Sequence, residues 1–432
     1  MSLPKLVVGI TQGDSNGIGY EVIIKSLADE RILDSFTPVI YGSSKLMGFY
    51  RKTLHNIGPM DINVISSAAD AKQKKINLVN CLPDNIYAEP GQSTPDSAKA
   101  AIKSLETAVK DLKDGQVDVL VTAPINKRAM NSEGFSNTGH TEYLQKEFGA
   151  DDVTMIMVSD QIKIGVVTGH IPLRDVPKSL TRESILGKLR IMKASLQRDF
   201  GVADPKIAVL GLNPHCGDGG LLGDEEQNII LPAVQEAMKE GIQAFGPYSP
   251  DGFFGLGNYS RFDATLAMYH DQGLAPFKAL AFSDGVNYTA GLPIVRTSPD
   301  HGTAYDMAGR DEADPHSMLH AILIKDADGA GQLAALYIGR QGLAGILGLG
   351  RSDLLLGIGR LAGRRHQQHQ GHCNVDNAFH IIGFISSCFP SACRTGDACG
   401  RCQWPCRWRS SWSGDRGSEG IQNVLCVHIN TS

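Results

Sequence analysis

The chain has 432 residues, of which 42% are hydrophobic and 20% charged, and its formal net charge is −5. This composition is typical of a soluble globular protein, and the length is sufficient for a sizeable core and for two or more domains. The mild negative charge gives no reason to expect binding to nucleic acid or to an anionic membrane, and the apolar runs are too short to span a bilayer. We therefore expect a cytoplasmic protein.

Strand-like and helix-like segments alternate from the N-terminus to about residue 325. Short apolar runs bounded by turn residues predict strands, and longer segments with apolar side chains three or four positions apart predict helices. The predicted strands are residues 5–11, 37–41, 117–121, 153–158, 162–167 and 206–210, and the predicted helices are residues 20–33, 46–57, 98–112, 182–200 and 225–239. Only three residues separate two of the strands, 153–158 and 162–167, which favours an antiparallel hairpin. The sequence therefore predicts an α/β fold with a mixed sheet.

A glycine-rich turn, residues 12–19, connects the first predicted strand to the first predicted helix. Gly13, Gly17 and Gly19 allow its backbone amides to approach an anion, although such turns also occur as simple connections. The turn does not have the G-x-G-x-x-G spacing, and that fingerprint is absent from the whole chain. Any nicotinamide cofactor must therefore be bound by a different kind of site.

Three of the 13 histidines directly follow apolar, strand-like segments. These are His170, His215 and His270, which follow residues 163–167, 207–210 and 265–268. A single histidine is more often a surface or core residue than a ligand, but ligands of open α/β sheets gather at the carboxyl ends of strands. Three imidazoles there would hold zinc, cobalt, manganese or magnesium and leave positions open for a substrate. The sequence therefore predicts a divalent-metal site, without a local motif such as H-E-x-x-H.

Polar and basic residues follow the third of these histidines. They are Lys278, Asn287 and Arg296. An arginine grips phosphate or carboxylate through a planar fork, a lysine adds a point charge, and an asparagine adds neutral hydrogen bonds. Each residue alone is typical of a solvated surface, but beside a metal site they favour a pocket for an anionic substrate.

The composition changes near residue 325. Glycines are frequent between residues 329 and 363, and seven of the nine cysteines and all three tryptophans lie beyond residue 372. We interpret residues 326–432 as an atypical extension, either an altered reading frame or a disordered segment, and sequencing the gene near codon 325 would test this. One alternative is a zinc knuckle at Cys399, Cys402 and Cys406, which lacks a second pair of ligands. Another is a nucleic-acid contact through arginine and tryptophan, which lacks a recognisable module.

Five motifs occur in order between residues 5 and 322. They are residues 13–19 (GDSNGIG), 139–142 (GHTE), 213–220 (NPHCGDGG), 269–273 (YHDQG) and 291–303 (GLPIVRTSPDHGT). Together they resemble the motifs of the 4-hydroxythreonine-4-phosphate dehydrogenase family. The resemblance implies the two-domain α/β fold of the isocitrate and isopropylmalate dehydrogenases, with the active site in the interdomain cleft and shared in a homodimer. One lobe would comprise residues 1–130 and 275–325, and the other residues 131–274.

The resemblance also assigns roles to single residues. It implies that the metal is held, by ligands from both subunits, through His170, His215 and His270. It implies that the phosphorylated substrate is bound by His140, Thr141, Lys278, Asn287 and Arg296. The adenosine end of NAD or NADP would be held by the loop that contains Gly302, Thr303, Ala304 and Asp306. The catalytic candidates are His140, Asp263 and Asp271, and the general base could also be a metal-bound hydroxide.

The implied reaction is the metal- and NAD(P)-dependent oxidation of 4-phosphooxy-L-threonine. The metal would acidify the substrate hydroxyl, hydride would pass to the nucleotide, and the resulting β-keto acid would lose CO2. The product, 3-amino-2-oxopropyl phosphate, leads to pyridoxal 5′-phosphate. One alternative is a paralogue that oxidises another phosphorylated hydroxy acid, such as threonate or erythronate phosphate. A metal-dependent hydrolase is a further alternative, but it would need a carboxylate-rich or two-metal site.

The chain departs from the family pattern after Gly309. Relatives usually continue with Lys-Gly-Ile before Ala-Asp-Pro, whereas here Arg310, Asp311 and Glu312 precede Ala313. Two carboxylates thus replace a flexible glycine and an apolar isoleucine. This departure predicts an altered affinity for the cofactor.

Overall fold

The computed structural model describes residues 6–137 and 139–323, and a single mixed sheet runs through them. The extension predicted at residues 326–432, including Cys399, Cys402 and Cys406, lies outside the described residues. The strands are β1 (Val7–Thr11), β2 (Thr37–Gly42), β3 (Ile62–Ile65), β4 (Ile76–Asn80), β5 (Val119–Thr122), β6 (Thr154–Val158), β7 (Lys163–Thr168), β8 (Lys206–Leu210), β9 (Gln243–Tyr248), β10 (Ala264–Tyr269), β11 (Val286–Ala290) and β12 (Val295–Pro299).

Helices connect most of these strands. They are α1 (Gly19–Ser26), α2 (Ser44–Thr53), α3 (Pro95–Lys113), α4 (Lys127–Ser132), α5 (His140–Phe148), α6 (Val176–Ser179), α7 (Arg182–Arg198), α8 (Leu231–Lys239), α9 (Pro250–Gly255), α10 (His270–Leu280) and α11 (His316–Leu323). Within the described part of the chain, every helix is too short or too polar to span a bilayer.

The order of the strands brings sequence-distant segments together. The 12 strands follow the order β3-β4-β2-β1-β5-β12-β11-β6-β7-β10-β8-β9. The pairings of β12 with β11, of β11 with β6 and of β6 with β7 are antiparallel, and the other pairings are parallel. Three antiparallel steps reverse the direction of the sheet, so β7, β10, β8 and β9 run opposite to the strands from β3 to β12. The mixed α/β sheet predicted from the sequence is confirmed.

The sheet is covered on both faces because alternate side chains of its strands point in opposite directions. In β5, Val119 and Val121 belong to one buried cluster, whereas Leu120 belongs to another, which includes Leu105 and Val109 of α3. Burial on both faces explains why these strands are apolar runs without polar alternation.

The predicted strands are all present, and the predicted hairpin is confirmed as β6 and β7. Three helix predictions are wrong in extent, and one of them, over residues 46–57, is α2, which ends at Thr53. The segment predicted as a helix over residues 20–33 is α1, which ends at Ser26, followed by a separate 3-10 turn over Glu30–Asp34. Asp29 starts that turn, because its carboxylate accepts a hydrogen bond from the backbone N–H of Arg31 at 3.0 Å. In the segment predicted over residues 225–239, Glu226–Ile230 forms a π-helical turn, and α8 begins only at Leu231.

Candidate active site

A cavity of about 810 Å³ lies over the antiparallel strands that join the two halves of the sheet. Its wall includes residues from β5, β6, β7, β11 and β12, from the beginnings of α4 and α5, and from the loop after β12. The predicted site residues that line it are His140, Thr141, His170, Lys278, Asn287, Arg296 and Gly302. The structure therefore brings the predicted substrate residues to one place, although they span more than 150 positions of the chain.

Arg296 is the buried cation of this cavity. Its side chain is only 3% exposed, yet no ion pair to a carboxylate is found for it among the described residues. Instead, its guanidinium donates to the hydroxyl oxygen of Thr122 at 2.6 Å and to that of Thr289 at 3.0 Å. Burial lowers the pKa of Arg296 to about 10, an effect that Glu142 opposes, so the group remains charged near neutral pH. A buried guanidinium whose partners among the described residues are all neutral is suited to bind an anion from the cavity.

His140 lies directly beside this arginine. Its Nδ1 atom is 3.3 Å from an Nη atom of Arg296, which can only donate, so Nδ1 accepts and the ring proton is on Nε2. The Nε2 atom is buried and has no hydrogen-bond partner in residues 6–137 and 139–323. Burial, together with Arg296 and Lys127, holds the pKa of His140 well below its usual range. His140 is therefore a neutral hydrogen-bond donor facing the cavity.

The buried neutral state of His140 predicts sensitivity to acid. Its folded pKa is below the unfolded value of about 6.5, so the unfolded chain binds a proton that the folded chain does not as the pH falls below that value. We expect the free energy of unfolding to fall by up to about 1.4 kcal/mol per pH unit from this group, and His140→Gln to remove that part of the slope. Urea unfolding at pH 7.5, 6.5 and 5.5 measures both slopes. Equal slopes for the two proteins would contradict the assignment.

Three further polar atoms around the cavity are buried without a partner among the described residues. They belong to Thr154, Asn287 and His301, through Oγ1, Oδ1 and Nε2. The Nδ1 atom of His301 is 3.1 Å from the carbonyl oxygen of Gly302, so Nδ1 carries the proton and Nε2 is an acceptor. Burial also lowers the pKa of His301. Unsatisfied buried groups are rare in proteins, and their convergence here indicates a ligand-binding site.

Lys278 lies on the same wall as His301. Its Nζ is 3.3 Å from a carboxylate oxygen of Asp300. Burial raises the pKa of Asp300, and Lys278 opposes this effect. The carboxylate of Asp300 therefore partly neutralises the positive charge that Lys278 brings to the cavity.

Two of the three predicted metal ligands are neighbours. The ring centroids of His170 and His270 are 5.2 Å apart. His270 Nδ1 is 2.7 Å from a carboxylate oxygen of Asp271, which leaves Nε2 free for a metal, as in carboxylate-supported metal sites. Burial and the nearby charges of Lys127 and His270 lower the pKa of His170 and favour the neutral form that binds metals. The chemistry of this pair fits a divalent metal.

His215 follows the neighbouring strand. The strands that precede the three histidines, β7, β10 and β8, are adjacent and parallel, as the sequence argument required. His215 itself is exposed, with a left-handed φ of 54°, and it does not line the cavity. Among the described residues, no three histidine, cysteine or carboxylate groups come within reach of one ion. The chain by itself thus supplies a pair of ligands, and the third histidine is at the next strand end.

The two carboxylates predicted as general bases differ in position. Asp263 precedes β10, at the opposite end of that strand from His270, and its carboxylate accepts a hydrogen bond from the backbone N–H of Lys206 at 2.8 Å. It does not line the cavity, so its role is to join β10 to β8, and we do not retain it as a catalytic candidate. Asp271 lies beside His270 with its side chain 83% exposed. Its contact makes it a residue that orients His270.

The glycine-rich turn contacts the predicted nucleotide loop rather than the cavity. The backbone N–H of Ile18 donates to the carbonyl oxygen of Thr303 at 3.0 Å, and a Cβ on Gly17 would be 2.7 Å from that oxygen. The Tyr305 hydroxyl donates to the carboxylate of Asp14 at 2.7 Å. None of the turn residues lines the cavity. The turn therefore holds the loop that contains Thr303, Ala304 and Asp306.

The unusual Asp311 is also used within the fold. Its carboxylate is 2.9 Å from Lys25 Nζ and 3.0 Å from His55 Nδ1. Although burial opposes the effect, hydrogen bonds from Lys25 and His55 lower the pKa of Asp311 to about 2. Lys25 is also 2.8 Å from Glu21, which is completely buried and accepts from the backbone N–H of Ala313. The carboxylate at position 311 thus attaches the loop to α1 and does not line the cavity.

This attachment predicts a large effect of Lys25 on stability. Lys25→Met would leave the buried carboxylate of Glu21 without its cation, which costs about 3–5 kcal/mol in comparable buried pairs. Lys110→Met is a matched control, because Lys110 forms an exposed pair with Asp114 at the same i,i+4 spacing, and such pairs contribute at most about 1 kcal/mol. Urea unfolding of both variants gives the two values. Equal losses would show that the buried network does not anchor the loop.

The sequence analysis missed some residues of the cavity wall. Lys127 and Glu142 line the cavity, as do Thr122, Thr154 and His301. Glu142 and His301 are within the quoted motifs but had no assigned role. Lys127 follows the end of β5 after a short Ala-Pro-Ile-Asn segment. Only the pairing of β5 with β12, which carries Arg296, shows that Lys127 belongs to the same cavity.

Comparison with known proteins identifies the family. A family model described as "Pyridoxal phosphate biosynthetic protein PdxA" matches residues 34–325. The chain belongs to the PdxA family. The match includes every residue named above in the cavity wall, and it ends at the point where the composition of the chain changes.

Individual PdxA relatives agree with this assignment. The 4-hydroxythreonine-4-phosphate dehydrogenase of Bacteroides thetaiotaomicron is 50% identical over 321 residues, which are 74% of this chain and 88% of the relative. That of Sulfurihydrogenibium sp. is 43% identical over 317 residues, 73% of this chain and 96% of the relative. A crystal structure of the Klebsiella pneumoniae enzyme of the same name is 35% identical with a TM-score of 0.66 and covers 74% of this chain and 97% of its own. The resemblance inferred from the five motifs is thus confirmed, both for the family and for its fold.

Proposed function

We propose that this PdxA family member oxidises 4-phosphooxy-L-threonine with NAD or NADP and releases 3-amino-2-oxopropyl phosphate after loss of CO2, as a step of pyridoxal 5′-phosphate synthesis. The names of the relatives and the order of the five motifs support this reaction. The same proposal assigns the enzyme to the cytoplasm, where biosynthesis can draw on the nicotinamide nucleotide pool.

The observation that carries the proposal is the buried, carboxylate-free Arg296 in a cavity that also contains unpartnered polar atoms. A guanidinium fork beside the Nε2–H group of His140 matches the oxygens of a phosphate or carboxylate. Asn287 and Thr141 add neutral hydrogen bonds on the same wall, and Lys278 adds a second charge. Together these groups would hold a small, doubly anionic substrate in one orientation.

The histidine pair supports a divalent metal, which we propose is zinc, magnesium, cobalt or manganese. His170 and His270 would provide two ligands, and His215 the third, with one or more ligands contributed by a second subunit. When bound, such a metal acidifies a coordinated hydroxyl and stabilises the negative charge that develops as hydride leaves. Asp271 keeps the proton of His270 on Nδ1 and directs Nε2 to the metal.

The side chains of the cavity would bind and orient the substrate and the nucleotide. His140 donates a hydrogen bond from Nε2 to a substrate oxygen, and His301 accepts one at Nε2 from a donor group of the substrate or nucleotide. Neither histidine is charged near neutral pH, because burial lowers the pKa of both. His140 is then not the general base, because its Nε2 atom already carries a proton.

We propose that the loop after β12 holds the nucleotide through Gly302, Thr303, Ala304 and Asp306. Gly302 lines the cavity with open space around it, and Asp306 is exposed. Ala304 has a left-handed φ of 42°, which orients the backbone of the loop. The contacts of this loop with the glycine-rich turn hold it in place without blocking these residues.

We further propose a homodimer that shares the active site, with lobes of residues 1–130 plus 275–325 and residues 131–274. Large apolar side chains are exposed at Leu173 (67%) and Leu221 (79%), which follow the segments of His170 and His215, and at Leu256 (78%) and Phe282 (79%). The proposed interface would remove such side chains from water. Light scattering after size exclusion tests the proposal, and a monomer with full activity would contradict it.

A coupled set of assays tests the reaction. Purified protein, a divalent metal, NAD or NADP and 4-phosphooxy-L-threonine should produce reduced nucleotide, followed by its absorbance near 340 nm. Threonate and erythronate phosphates, assayed in parallel, test the paralogous substrates. Release of inorganic phosphate without reduced nucleotide would favour a hydrolase and would overturn the proposed function.

A further inference from the structure

Lys127 is a cavity residue to which neither the motifs nor the proposed reaction assigns a role. It is the first residue of α4, at the carboxyl end of β5, and β5 pairs with β12, which carries Arg296. The preceding residue, Asn126, caps α4 by accepting from the backbone N–H of Ala129 at 3.1 Å. Its side-chain amide also donates to Ser93 and Tyr305. The base of the Lys127 side chain is therefore held in position on two sides.

The side chain extends along the beginning of α5. Lys127 Cε and Nζ are 3.1 and 3.4 Å from the position that a Cβ on Gly139 would occupy. A side chain at residue 139 would crowd the end of the lysine, which therefore lies directly against this glycine. The path leads towards His140, which directly follows Gly139, and Lys127, His140 and His170 all line the same cavity.

The other cations of the cavity already have protein partners. Lys188 is 2.7 Å from the carboxylate of Asp152, and Lys278 is 3.3 Å from that of Asp300. Arg296 donates to two threonine hydroxyls. Among the described residues, by contrast, no hydrogen bond or ion pair to Lys127 is found, although a carboxylate oxygen of Glu142 is 3.3 Å from the same Cβ position at Gly139.

We infer that Lys127 binds an anionic oxygen group of the substrate on the side of the cavity formed by His140 and His170. The inference rests on the proposed function, which names the substrate. That substrate has a phosphate at one end and a carboxylate at the other, and Arg296 can bind only one of these two groups. The lysine ammonium suits this role, because its flexible side chain can adjust the position of the charge to the anionic oxygens of the bound substrate. Lys127 is then a determinant of specificity for a doubly anionic substrate.

The test compares adjacent residues of one helix. Lys127→Met should raise KM for 4-phosphooxy-L-threonine about 10- to 100-fold, the equivalent of one charge-assisted hydrogen bond, and leave KM for the nucleotide unchanged. Lys127→Arg should restore KM to within about fivefold. Arg128→Met is the matched control, because it removes the same charge one position later, outside the cavity wall, and should alter KM less than about twofold.

A direct binding measurement separates this inference from the proposed reaction. Calorimetry with inorganic phosphate and with 4-hydroxy-L-threonine, which lacks the phosphate, does not require turnover. Weaker binding of phosphate to Lys127→Met would assign Lys127 to the phosphate end, and weaker binding of 4-hydroxy-L-threonine would assign it to the carboxylate end. Unchanged binding of both probes, in a variant with an unchanged melting temperature, would overturn the inference even if the dehydrogenase activity is present.

Discussion

Arg296→Met should lower kcat/KM for 4-phosphooxy-L-threonine by roughly 30- to 4000-fold. Removing the buried partner of a charged ligand costs roughly 2–5 kcal/mol, and each 1.4 kcal/mol is a factor of ten. Arg296→Lys should recover little, because an ammonium cannot donate at once to Thr122, Thr289 and the substrate as the guanidinium fork can. Steady-state kinetics with reduced nucleotide as the readout measures both variants.

The control must distinguish loss of binding from loss of fold. Arg261→Met removes an exposed arginine outside the cavity wall and should change kcat/KM by less than about twofold. Circular dichroism and calorimetric titration with inorganic phosphate should show a folded Arg296→Met protein with no measurable phosphate binding. A folded variant that binds phosphate as well as the parent chain would exclude Arg296 as the anion-binding group.

His270→Ala should abolish both metal binding and dehydrogenase activity. The variant removes one of the two adjacent imidazoles and, with it, the group that Asp271 orients. Loss of a ligand from a site with few protein ligands should reduce activity by about 1000-fold or more, since the transition state loses several kcal/mol of charge stabilisation. Metal content per chain after dialysis, together with the rate of nucleotide reduction, provides two independent readouts.

A surface histidine provides the comparison. His316→Ala changes a residue that is 63% exposed and outside the cavity wall, so metal content and rate should be those of the parent chain. A chelator should inactivate the parent chain and the His316→Ala variant alike, and added metal should restore both. If His270→Ala retained a full complement of metal, the histidine pair could not be the metal site.

Local pattern predicted the strands well because each is a short apolar run bounded by turn residues. It also predicted which edge carries His170, His215 and His270, since each follows such a run. It did not predict that β11 and β6 reverse the direction of the sheet between β12 and β7, because pairing depends on residues far apart in sequence. The helix over residues 20–33 was predicted too long, because apolar periodicity continued past Asp29, whose side chain begins a new turn.

The site residues that belong to a recognisable sequence pattern could be predicted, and the others could not. Lys278 and Arg296 were predicted as basic residues after the third histidine, His140 was found through the family resemblance, and the structure brings them together around one cavity. The function of Asp311 could not be predicted, because its partners, Lys25 and His55, are more than 250 positions away. Lys127 lies outside every motif, and only the folded chain shows that its side chain passes Gly139 and lines the cavity.

His140 and His301 carry their ring protons on different nitrogens, so one offers the cavity a hydrogen-bond donor and the other an acceptor. One ring presents an N–H group and the other a lone pair, and each position is fixed by a neighbour that does not change, an arginine for His140 and a backbone carbonyl for His301. A ligand with a hydrogen-bond acceptor at one end and a donor at the other would satisfy both rings in one orientation only. The two rings would therefore distinguish the two orientations of such a ligand.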